Sequence, residues 1–102
     1  MAAHPLEPLK KFDPELFGRI VDQQKKTFSS SALSHKMKLL IALAVDASRG
    51  AEEGVTNLVK LARSKGAADE EIADVFTIVH HICGADAMYR VADAVRDIDP
   101  ET

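Results

Sequence analysis

The sequence has no tryptophan, one tyrosine, four phenylalanines and a single cysteine, Cys83. Aromatics are scarce, and the 46% apolar content comes mostly from Ala, Val, Leu and Ile, a mixture suited to close helix packing rather than to a half-exposed sheet. One thiol cannot close an internal disulfide. The longest strongly apolar run, residues 39–45, is far short of the roughly 20 residues that cross a bilayer. That run must therefore be buried in protein. There is no excess of one charge either: 13 basic residues are scattered among 16 acidic ones, the net charge is -3, and no basic stripe is present to neutralise phosphates. Nucleic-acid binding is disfavoured. The first eleven residues carry Pro5, Glu7 and Pro8 and no apolar core of signal-peptide type, so the expected location is the cytoplasm. Strand-type alternation, internal repeats and low-complexity tracts are absent apart from Ser29, Ser30 and Ser31.

What is present is helical periodicity, repeated five times in a length that supports one core. Residues 1–12 read as an arm that orders only against something else, and residues 13–102 as one helical domain. The first helix starts at Asp13-Pro14, a good cap followed by a proline at the first helical position, and carries Leu16, Phe17, Ile20 and Val21 on one stripe. Ser34 caps the second, which is apolar almost all round and stops at Gly50. A helix of that kind in so small a domain needs partners on several sides, which an oligomer interface provides. The third, about residues 52–65, offers Val55, Leu58, Val59, Leu61 and Ala62 to the core and ends at Gly66. The fourth opens with Asp69, Glu70 and Glu71 where the helix dipole favours negative charge, continues through Ile72, Val75, Phe76 and Val79, and is interrupted by Gly84. The fifth, about residues 85–98, is amphipathic, with Ala87, Met88, Val91, Ala92 and Val95 on its apolar side.

The polar residues that remain narrow the chemistry. His80, His81 and Cys83 cluster just before Gly84, and residues 80 and 83 share a helix face, so an imidazole and a thiol can meet one ligand. Two ligands do not make a metal site, and neither a metal nor another cofactor is implied. Against a functional role stands simple packing, with Cys83 as a small buried apolar residue and a histidine bonded to a carbonyl. Asp46 follows seven apolar residues; if it lies inside, it pairs naturally with His80 or His81 for acid/base work, and if it lies on an exposed strip it is a salt-bridge residue. Glu52 and Glu53 serve the dipole of their helix, His4 and His35 face solvent, and Tyr89 and Met88 either line a small pocket or join the core.

Residues 38–95, with the segments KLLIALAVDASRGAEEG, KLARSKGA, DEEIADV and HHICGADAMYRVADAV in that order, resemble the carboxymuconolactone decarboxylase and alkylhydroperoxidase D family. The resemblance implies an all-α bundle of about five helices that associates into trimers or hexamers. In the family's peroxidase branch a glutamate precedes a CxxC pair, and a histidine follows it. Laid on that pattern without gaps, this chain has Leu39 for the glutamate, Ala51 and Gly54 for the cysteines and Leu58 for the histidine. None of these can ionise or attack, so a CxxC-dependent thiol relay is excluded. The decarboxylase branch has a glutamate-rich turn, matched by Glu52 and Glu53, and then a histidine, which Leu58 replaces. The expectation is a homo-oligomer that binds or acts on a small molecule by acid/base chemistry, with His80, His81, Asp46 and Cys83 as the candidate residues. The alternatives are a non-catalytic structural or interaction homo-oligomer, and a one-cysteine peroxidase at Cys83 served by an external reductant.

Overall fold

The computed structural model describes residues 4–101, which are helical apart from short connections; no strand occurs among them. They fall into two compact units that divide between Ser30 and Ser31.

In the first unit, Pro8 sits in the opening turn of a 3₁₀ helix, Glu7–Lys11, where its missing N–H costs nothing. The segment expected to lack order of its own is therefore regular over this stretch, while residues 1–3 lie outside the described ones. Part of the reason is His4, expected to face solvent. Its Nε2 lies 2.9 Å from Gln24 Oε1, and its ring meets Phe17 edge-on at 5.3 Å. Lys10 Nζ lies 4.9 Å from the centre of the same ring, a cation–π contact. Asp13 then caps α1, Pro14–Phe28, accepting a hydrogen bond from the Leu16 N–H at 3.0 Å as its sequence position implies. None of the described residues of this unit is buried; in its apolar stripe Leu16 is exposed and Phe17, Ile20 and Val21 are half-buried.

The second unit holds four helices: α2, His35–Ser48; α3, Glu52–Ser64; α4, Asp69–Cys83; and α5, Ala85–Val95. Ser34 caps α2 through its hydroxyl, which accepts from the Met37 N–H at 3.1 Å. Helix α2 packs against both α3 and α4. Lys36 in the first turn of α2 and Glu71 in the first turn of α4 are paired at 3.1 Å. The core is made of Leu39, Leu40, Leu43 and Ala47 of α2, Val55, Val59 and Ala62 of α3, Ile72 and Val79 of α4, and Ala87, Val91 and Ala94 of α5. Its many alanines let the backbones approach closely. Thr56 of α3 exploits that approach, donating its hydroxyl to the Ala94 carbonyl of α5 at 2.6 Å.

Within one chain Met37, Ile41 and Val45 of α2 are exposed along one stripe. Two expectations are corrected. Leu61 is exposed and Leu58, Val75 and Phe76 only half-buried, because the small unit has no further layer to cover the flanks of α3 and α4. Helix α5 ends at Val95 rather than Ile98: Pro100 disfavours helix just before it, and the chain turns at Arg96 and Asp97. The α4–α5 corner is as sharp as a chain allows. Gly84 alone joins the two helices, at φ 87° and ψ -174°, a conformation that side-chain-bearing residues rarely adopt.

Candidate functional site

His80, His81 and Cys83 occupy the last turn of α4, and all three are exposed. Cys83 is thus not the small buried residue that the packing reading expects. The helix itself explains it: Ile72 and Val79 carry the buried side of α4, and the chain reverses at Gly84 before anything can close over its end. Neither histidine side chain makes a hydrogen bond or ion pair within the described residues, and nothing joins either to Asp46 at hydrogen-bond or ion-pair distance. The proposed acid/base pair of Asp46 with a histidine is not assembled within one chain. No group of three or more His, Cys, Asp or Glu stands close enough to hold a metal among the described residues. Tyr89 is 73% exposed and Met88 is half-buried.

Asp46 lies elsewhere, and its surroundings are the more specific. It is half-buried on the flank of α2 that faces α3, and its backbone carbonyl accepts the Ala51 N–H at 2.9 Å, which tightens the turn between the two helices. Its side chain lies directly over Gly54 in the first turn of α3. A Cβ built on Gly54 would stand 2.1 Å from Asp46 Oδ2 and 2.8 Å from its Cγ. Only a residue without a side chain leaves room for that carboxylate. The side chain of Arg90, from α5, crosses Gly50, whose Cβ would stand 2.4 Å from Arg90 Cδ. Two glycines four residues apart thus leave room for an acidic and a basic side chain near the positive end of α3. Arg90 stands in no candidate set drawn from sequence, because it reads there as part of the polar side of an amphipathic helix.

The family model for the carboxymuconolactone decarboxylase family matches residues 14–97, all five α-helices. The chain belongs to the carboxymuconolactone decarboxylase family. An uncharacterized protein of Methanocaldococcus jannaschii is 33% identical over 96 residues, which cover 94% of this chain and 90% of that protein. On the gap-free alignment that the resemblance implies, Gly54 stands at the second cysteine of the peroxidase branch, and a side chain there would meet the Asp46 carboxylate. The other positions so aligned carry no ionisable group. Leu39 is buried in the core, Leu58 is half-buried, and Ala51 precedes the first turn of α3.

A second polar cluster, absent from the sequence candidates, lies where α3 gives way to α4. Arg63 donates from Nε and Nη2 to Asp69 Oδ1 at 3.0 and 2.9 Å, and Asp69 Oδ2 accepts the Glu101 N–H at 2.8 Å. That backbone donor, and after it the Arg63 guanidinium, hold the Asp69 carboxyl below the usual carboxylate range. Glu71 is lowered in the same way, first by the Ala68 N–H, which it caps at 2.9 Å, and then by Lys36. The signal for Arg63 was its spacing: it stands four residues after Val59, beside the buried stripe of α3.

Proposed function

We propose that this protein is a family member without thiol chemistry that binds or acts on a small molecule by acid/base chemistry, with Asp46 as the proton-transferring group. One observation carries the reading: a half-buried carboxylate with no side-chain hydrogen bond or ion pair stands over Gly54, the position that the resemblance aligns with a thiol of the peroxidase branch. A carboxylate there can take or return a proton but cannot attack a peroxide. Arg90 across the turn supplies the positive charge that an anionic substrate or a developing anion needs. His80 and His81 join such a site when a second copy brings its own residues to it. The protein then works as a homo-oligomer.

The test is turnover of a carboxylated unsaturated γ-lactone, the class that the family name indicates, followed by its ultraviolet absorbance. The expected result is that Asp46→Asn lowers kcat by about a hundredfold or more with KM little changed and the same mass in solution. An unchanged rate removes Asp46 from the chemistry. A wild-type protein that neither turns over nor binds any such lactone favours the second reading, a non-catalytic homo-oligomer. That reading has its own support in the exposed Met37, Ile41 and Val45 of α2 and the exposed Ile78 and Ile82 of α4.

A further inference from the structure

The cluster around Arg63 opens onto a cleft of about 230 Å³ whose lining does not include His80 or His81. Its walls are apolar: Val59 of α3, Ile72 and Phe76 of α4, Val95 of α5 and Ile98 beyond it. Arg63 and Asp69 supply its polar end. The guanidinium is largely enclosed, its side chain 17% exposed, and Nε and Nη2 are both turned to one oxygen of Asp69. Nη1 has no acceptor among the described residues. The remaining anion nearby, Glu101, stands 3.4 Å from Nε with its side chain 57% exposed, a loose pair beside a well-fixed cation. An arginine oriented by one carboxylate, with donors left over at the end of an apolar cleft, has the chemistry that receives a second carboxylate attached to an apolar body.

We propose that this cleft binds a compact apolar monocarboxylic acid, whose carboxylate meets Nη1 of Arg63, the guanidinium nitrogen left without an acceptor, and displaces the loose pairing of Glu101 at Nε. Asp69 is then a positioning residue: it fixes the plane of the guanidinium and, through the Glu101 N–H, holds residues 98–101 along the rim. Glu101 is the built-in competitor. The cleft does not include Asp46, Arg90, His80 or His81, so the site stands or falls independently of the acid/base reading.

The experiment is titration of the ¹⁵N-labelled full chain with benzoate, with benzyl alcohol as the uncharged control. Benzoate is expected to shift the amides of Ile72, Phe76, Val95 and Ile98 saturably and to bind at least about tenfold more tightly than benzyl alcohol. Glu101→Gln, which keeps the backbone donor to Asp69 and removes the competing charge, is expected to tighten benzoate by about threefold or more. Ala73→Leu, which narrows the cleft from an exposed rim position, should abolish saturation with the helical circular dichroism unchanged. Shifts that map away from the cleft, equal affinity for benzyl alcohol, or a Glu101→Gln affinity equal to wild type would each overturn the proposal.

Discussion

At the scale of single residues, the decisive contact is the one between Asp46 and Gly54. Alanine in place of glycine inside a helix gains about 1 kcal/mol in propensity, but here the added methyl would lie 2.1 Å from a carboxylate oxygen, so Asp46 must be displaced. The two effects separate in a double-mutant cycle. Gly54→Ala is expected to be more favourable by about 1 kcal/mol or more in an Asp46→Ala background than in wild type, as read from urea unfolding midpoints. Additivity of the two substitutions would mean that the carboxylate does not rest on Gly54. The same contact marks what sequence could and could not reveal about the site. An acid after seven apolar residues is visible as an oddity, and so is the loss of every ionisable group at the relay positions. That the Asp46 carboxylate lies over Gly54 is not visible, because it depends on how α2 packs against α3. The His80, His81 and Cys83 cluster was legible as a spacing, yet exposure at the end of a helix is a tertiary property that spacing does not carry.

At the scale of the elements, sequence carried most of the fold because the helix ends are chemically marked. Asp13 and Ser34 cap where a short side-chain acceptor precedes an apolar period, and Gly84 breaks α4 where only glycine turns the corner. The start of α4 is read correctly for a reason that propensity only half explains. Its acidic first turn not only faces the dipole; Glu71 also accepts the Ala68 N–H and pairs with Lys36 of α2, while Asp69 binds Arg63 of α3. The end of α5 was harder, since Ile98 continues the apolar period and is used by the cleft rather than by a helix. The junction at Asp69 and Glu71 makes a pH prediction. Both carboxyls are lowered in the folded chain, so the unfolded state binds protons first as pH falls. Their stabilisation is complete above the ordinary carboxylate range and is lost as pH drops through that range toward the lowered folded values. Thermal unfolding measured from pH 7 down to pH 3 should therefore show a falling melting temperature, and Asp69→Asn with Glu71→Gln should flatten that acid limb while lowering the plateau at pH 7. A limb of unchanged steepness in the double variant would assign the acid sensitivity to other groups.

At the scale of the whole molecule, large apolar side chains stand exposed on both α2 and α4. No helix of the described chain is long and apolar enough to cross a membrane. Met37, Ile41 and Val45 recur every four residues on α2, and Ile78 and Ile82, 62% and 75% exposed, do the same on α4. Exposed apolar stripes of this kind are what a second copy covers in the homo-oligomer proposed above. That proposal, with the assembly the resemblance implies, predicts a solution mass of a trimer or hexamer of the 11.1 kDa chain by light scattering. Ile41→Asp combined with Ile82→Asp places two charges in those stripes and should reduce the mass to 11.1 kDa, whereas Lys60→Asp on the exposed side of α3 should leave it unchanged. Stability discriminates further. On a free monomer surface each aspartate would alter stability by only about 0.5 kcal/mol, but in an assembly the loss of the partner also makes the melting temperature fall and removes its dependence on protein concentration. A wild-type mass of one chain at micromolar concentration would instead leave the stripe to a different partner, and with it the idea that His80 and His81 reach Asp46 from a neighbouring copy.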